Sequence, residues 1–165
     1  MFDSKAHQSK PFFNRVAAIV LLAASGFVHA HGNVTPQAVD TGDLPKLSGW
    51  VTNNPYSGNE KAAKIGDSAY NQNCARCHGL EAVSGGIAPD LRRLDNECVN
   101  MKDAKKQSAC LADVNEYFIG RFRHGVTRNG AVYMPPFEGV LSQEAAWTIK
   151  TYLETRREKP LVSAK

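Results

Sequence analysis

The run GDSAYNQNCARCH, residues 66–78, ends a periodic segment on two cysteines and a histidine. Its last five residues, Cys74-Ala75-Arg76-Cys77-His78, form a C-x-x-C-H sequence, the attachment signature of a c-type haem. The spacing has a physical reason. Two thiols three residues apart at a helix end can reach both vinyl-derived carbons of one porphyrin, and the adjacent imidazole of His78 is then delivered beneath the iron. Two other readings of the cysteines fit less well. A redox-active C-x-x-C belongs in a βαβ context, which the flanking sequence lacks. A structural zinc site needs a second close Cys or His pair, and none has the right spacing.

Upstream of the motif, Ala62, Ile65, Gly66, Ala69 and Tyr70 fall on one helical stripe. Ser57-x-x-Glu60 fits a capping box at its start. Downstream, residues 79–110 read mostly as loop, broken by Ser84-Gly85-Gly86 and Pro89, with a short turn at Leu91–Leu94. A second helix is expected from Asp113, with Val114, Tyr117, Phe118 and Phe122 on its buried face and Gly125 at its end. Residues 126–141 form another loop, holding Met134-Pro135-Pro136. A last helix opens at Ser142, buries Ala145, Ile149, Tyr152 and Leu153, and stops before Pro160. Arg156, Arg157 and Lys159 suit the negative end of its dipole. No strand is expected, so the fold class is all-α, with three main helices and short turns.

The remaining sequence sets the compartment. Residues 1–30 read as a secretory signal peptide: Lys5, Lys10 and Arg15 precede the 13-residue apolar run Val16–Val28, and cleavage is expected near Ala30. A membrane-spanning helix needs about 20 apolar residues, so a retained anchor is the lesser reading. Residues 31–56, with Pro36, Pro45 and Pro55, read as an extended arm over the domain, anchored by Trp50 and Tyr56. Residues 57–160 are the domain proper. The 165 residues carry a formal charge of +4, part of it in the leader, and this is too small an excess for a nucleic-acid binder.

With these residues in place, 57–160 resemble a class I cytochrome c. The resemblance rests on Gly66 and Tyr70 ahead of the cysteines, on C-A-R-C-H itself, and on Tyr152 where the family places an aromatic against the first helix. It implies one covalent haem c on Cys74 and Cys77, with His78 as an axial iron ligand. It also implies that Pro89, in Ile87-Ala88-Pro89-Asp90-Leu91, offers its carbonyl to His78. Met134 stands where class I cytochromes place their second axial ligand, on a loop that two prolines would stiffen. Met101 lies in a polar stretch and is expected to be exposed, as is His124, the rival ligand. Cys98 and Cys110 flank a 13-residue segment, and in an oxidising space they are expected to pair. A redox-active dithiol is the alternative. Arg92, Arg93, Lys102, Lys105 and Lys106, offset by Asp95, Glu97 and Asp103, read as a solvated face, with a docking patch for an acidic redox partner as the second reading.

A His/Met-ligated haem in a small shell implies a soluble periplasmic electron carrier, not an enzyme, and a monomer. The alternative is a haem enzyme, peroxidase-like or thiosulfate-oxidising, whose sixth ligand can be displaced. A narrower resemblance spans nearly all of the expected mature chain. AYNQNCARCHGLEAVSGGIAPDLR, the Cys98/Cys110 pair and AVYMPPFEGVLSQEAAW are similar to the cytochromes c that serve quinoprotein ethanol dehydrogenases. That implies a pyrroloquinoline-quinone (PQQ) alcohol dehydrogenase as donor and a membrane cytochrome oxidase branch as acceptor.

Overall fold

The computed structural model describes residues 35–158. The expected leader, its cleavage point at Ala30 and the start of the arm lie outside these residues, as do 159–165. Helix α1 spans Glu60–Asn73 and buries Ala62, Gly66, Ala69 and Tyr70 along one face. Its cap differs from the expected one. The Asn59 side chain accepts from the Ala62 amide at 3.0 Å, while the Ser57 hydroxyl turns away to donate to Glu154 Oε2 at 2.6 Å. A long-range partner outbids the local box. After α1 comes a single turn, α2 (Ala75–His78), ended by Gly79 at φ 82°. Two 3₁₀ turns follow, Leu80–Ala82 and Leu91–Arg93, then a one-turn helix α3, Asn96–Val99.

The next helix, α4, runs from Ala104 to His124, so the expected start at Asp113 is corrected. Asp103 caps it by accepting from the Lys106 amide at 3.0 Å, and the stretch that read as loop is helical from there. On α4, Ile119 and Phe122 are buried, but Tyr117 is exposed and does not belong to the inner face. The expectation of no strand is also corrected. Strands β1 (Val126–Arg128) and β2 (Ala131–Met134) pair antiparallel. Asn129 and Gly130 both hold positive φ at the tip, as a two-residue hairpin turn requires. The last helix, α5 (Gln143–Thr155), is capped by Ser142, whose hydroxyl accepts from the Ala145 amide at 3.2 Å.

Helices α1 and α5 cross at Gly66. A Cβ there would collide with the Thr148 carbonyl and come within 3.0 Å of Tyr152 Cβ, so only glycine lets the backbones approach this closely. Tyr70 and Tyr152 pack beside the crossing with ring centroids 5.2 Å apart. Trp147, on α5, is wholly buried and faces Phe118 of α4 at 6.2 Å. Residues 35–56 lie along these elements. The Leu47 and Val51 amides donate to Glu144 and Gln143 of α5, Gln37 and Asn73 of α1 bond each other, and Leu44 and Tyr56 are buried.

One ionic cluster sits inside. Lys150, 1% exposed, reaches Asp95 Oδ2 at 2.8 Å and Glu154 Oε1 at 3.1 Å. Arg157 makes a two-point contact with Asp95 at 2.7 and 2.9 Å. Burial alone would raise the Asp95 carboxyl. The hydrogen bond from Arg157 and the charge of Lys150 outweigh it and hold the group at about 2. The cluster fastens the segment before α3 to the middle and end of α5, so Arg157 does more than face a helix dipole.

Candidate functional site

The first half of the site is a helical turn. The Cys77 and His78 amides both bond the Cys74 carbonyl, at 3.1 and 3.0 Å. Positions 74, 77 and 78 therefore stand at i, i+3 and i+4, on one face. Behind the turn, the Tyr70 hydroxyl donates to the Gly79 carbonyl at 2.8 Å. Gly79 is also required for space, since a Cβ there would strike the Val83 carbonyl. The thiols of Cys74 and Cys77 are unpaired. Burial pushes the Cys74 thiol up to about 12, opposite to the lowered pKa of a redox-active dithiol.

His78 Nδ1 lies 3.0 Å from the Pro89 carbonyl oxygen. A carbonyl can only accept, so Nδ1 carries the proton and Nε2 keeps its lone pair for a metal. The loop that brings Pro89 there is held from within. Ser84 Oγ donates to the Ala88 carbonyl and accepts from the Gly86 amide. Asp90 caps the turn Leu91–Arg93 by accepting from the Arg92 amide at 3.0 Å. The Arg92 side chain, hydrogen-bonded to Asp90, holds that carboxyl at about 2. Between His78 and Pro89, Leu80, Val83 and Ile87 are 73%, 46% and 81% exposed.

Met134, the second expected ligand, lies on a different element. It ends β2, half-buried and packed against the core. Gly125, at φ 65°, ends α4 and makes room for it. A Cβ at Gly125 would collide with the Met134 carbonyl and lie 2.8 Å from Pro135 C. Beyond the two prolines, the Phe137 amide donates to the Phe122 carbonyl at 2.9 Å, and the two rings stack at 5.4 Å. Met101 is 39% exposed. The His124 side chain is 65% exposed, 3.7 Å from Glu138.

Elsewhere, Cys98 and Cys110 are joined in a disulfide with Cα atoms 5.4 Å apart, pinning α3 to α4. The expected basic face is partly neutralised. Arg92 pairs with Asp90 at 2.7 Å, and Arg93 pairs with Glu158. Lys102, Lys105 and Lys106 remain exposed. Two clusters had no place in the sequence reading. One is the buried Lys150–Asp95–Arg157 group. The other is a stack of Trp50, Arg123 and Glu138, with the Arg123 guanidinium 4.7 Å from the Trp50 ring centroid and 2.8 Å from Glu138.

The donor set suits a covalent haem: two unpaired thiols and a tautomer-fixed imidazole on one turn, a thioether on a stiffened loop, and uncovered apolar side chains beside the turn. Among the described residues no three His, Cys, Asp or Glu side chains cluster to hold a metal ion by themselves. The model of the family described as cytochrome C oxidase, cbb3-type, subunit III matches residues 61–153. The chain belongs to the cytochrome c family.

Two relatives extend the comparison. The cytochrome is 48% identical over 139 residues to cytochrome c550 of Pseudomonas aeruginosa, covering 81% of this chain and 86% of that protein. It is 31% identical over 103 residues to quinohemoprotein alcohol dehydrogenase ADH-IIG of Pseudomonas putida. That match covers 62% of this chain and 12% of the enzyme. No solved structure matches the chain significantly. The helical fold is that of a class I cytochrome c, and the group it carries is one covalent haem c. The protein is an electron-transfer protein and not an enzyme. Among the described residues no helix is long and apolar enough to cross a membrane.

Proposed function

We propose that this cytochrome works in the periplasm, taking single electrons from a PQQ-dependent alcohol dehydrogenase and passing them to a membrane oxidase branch, with His78 and Met134 as the axial ligands. Cys74 and Cys77 hold the haem, which supplies the Fe(III)/Fe(II) couple. The reading is supported by one C-x-x-C-H turn whose histidine is fixed at Nδ1 by the Pro89 carbonyl, and by a methionine on a loop confined by Gly125 and two prolines. The rest follows from what each residue does. Pro89 fixes the orientation of the imidazole and raises its basicity. Pro135 and Pro136 limit the freedom of the Met134 loop, so little ordering entropy opposes ligation. A filled sixth position leaves electron transfer as the chemistry.

The donor assignment is supported by the likeness of 103 residues to part of a quinohemoprotein alcohol dehydrogenase and by the motifs shared with cytochromes serving such enzymes. The periplasmic assignment is supported by the leader-like sequence of residues 1–30 and by the Cys98–Cys110 disulfide, a bond of oxidising compartments. The test is stopped-flow mixing of the ferric protein with a quinoprotein ethanol dehydrogenase and ethanol at two ionic strengths. Fast, saturable haem reduction is expected. Reduction no faster than that of an unrelated cytochrome c would reject the donor, and carbon monoxide binding as fast as in an open-site haem protein would reject the filled sixth position.

A further inference from the structure

The arm's Trp50 lies outside the residues that the family model matches, 61–153, yet it reaches the segment that follows Met134. The Arg123 guanidinium lies 4.7 Å from the centroid of the Trp50 ring. The same guanidinium grips Glu138 Oε1 through Nε and Nη2, at 3.1 and 2.8 Å. Arg123, and more weakly His124 and then Trp50, hold the Glu138 carboxyl below its ordinary value. The Trp50 ring also packs 6.4 Å from Phe122, whose carbonyl and ring engage the amide and ring of Phe137. At its own end the arm is fixed by the Val51 amide on Gln143 of α5 and by the contact of Gln143 with the Gly49 carbonyl.

Between Met134 and Glu138 there are only Pro135, Pro136 and Phe137. Whatever holds Phe137 and Glu138 therefore holds the far end of the methionine loop. The near end is the hairpin, where β2 is exposed up to Met134 itself. We propose that Trp50, through Arg123 and Glu138, is a positioning residue that clamps the Met134 loop and so sets how often the thioether leaves the iron. This rests on Met134 being the sixth ligand. A cation held over an indole and paired with a carboxylate is worth most when partly withdrawn from water. Arg123, with its side chain 30% exposed, is in that position.

The test is the rate at which exogenous imidazole binds the ferric holoprotein, since imidazole can enter only after the methionine has left. Trp50→Ala is expected to raise that rate by roughly three- to thirtyfold. Trp50→Phe, which keeps a ring for the guanidinium, should fall between it and the wild type. Glu138→Gln, which keeps the Trp50 ring beside Arg123 but weakens the grip on the loop, should also speed entry. If Trp50→Ala disturbs folding, as judged by helical circular dichroism and haem content, Glu138→Gln decides alone. Met134→Ala separates the two claims. Wild-type entry rates in the Trp50 and Glu138 variants, beside fast entry in Met134→Ala, would overturn the clamp and leave the ligand in place. Imidazole entry and far-red absorbance unchanged in Met134→Ala would overturn the ligand reading and the clamp with it.

Discussion

His78 ends the turn that follows α1, whose backbone meets that of α5 at Gly66, whereas Met134 ends a hairpin whose residues 127–133 are all exposed. On the first side, the Gly66 crossing, the Tyr70–Gly79 bond and the Pro89 carbonyl fix the turn through buried or short-range contacts. On the second side, the strand is placed by one glycine, two prolines and a polar stack reaching out to the arm. Helix packing excludes water and deforms little; loops strapped by ions and rings open at lower free energy. The difference suits a cofactor that is bonded permanently on one side and only coordinated on the other. It places the soft end of the molecule at Met134, the proposed replaceable ligand.

The largest effect should come from the rigid side. Cys74→Ser with Cys77→Ser should remove covalent haem, and the helical circular dichroism is expected to collapse with it. A stable, fully helical apoprotein would show that the α1–α5 crossing stands by itself. Next is Asp95→Asn, which leaves Lys150 buried with only Glu154 and should cost about 3–5 kcal/mol in denaturant unfolding at neutral pH. The acid limb carries the sign. Asp95 sits at about 2 in the folded state, below its ordinary 3.8, so its contribution of ~2 kcal/mol is present above pH 5 and lost as pH falls toward 2. That loss should be missing from the acid profile of Asp95→Asn.

Opening the disulfide with Cys98→Ser and Cys110→Ser should cost about 3 kcal/mol without altering the haem spectrum. A changed spectrum would mean that the segment between Cys98 and Cys110 supports the iron ligands. The smallest of the set is a matched pair. Gly66→Ala and Gly125→Ala each force a methyl against a backbone carbonyl and should each cost ~1–3 kcal/mol. Only Gly125→Ala should weaken methionine ligation. If both did, the two sides would not be mechanically separate.

The rigid side was legible because its signals are local and periodic. C-A-R-C-H needs five residues, and the Ala62–Tyr70 stripe repeats within one helix. The other side carries a weaker signal: Asn129-Gly130 between Arg128 and Ala131 is a hairpin turn, but the exposed strands beside it show no apolar alternation. The start of α4 escaped because Lys105, Lys106, Gln107 and Ser108 form a helix without an apolar stripe, stabilised by the Asp103 cap and the disulfide. Ser57 misled because its hydroxyl met a partner 97 residues away. Lys150 and Asp95 are 55 residues apart, and nothing local in either stretch shows that the lysine would be buried. Nor does Trp50 advertise Arg123.

The proposed role of Met134, the replaceable ligand of a one-electron carrier, ties these predictions together. The most direct test is redox potentiometry of the wild type and Met134→Ala, with the optical spectrum followed throughout. A single one-electron wave is expected in the wild type. In the variant, with haem still attached, the potential should fall and the reduced iron should bind carbon monoxide at once. An unchanged potential and a six-coordinate spectrum in Met134→Ala would contradict the account.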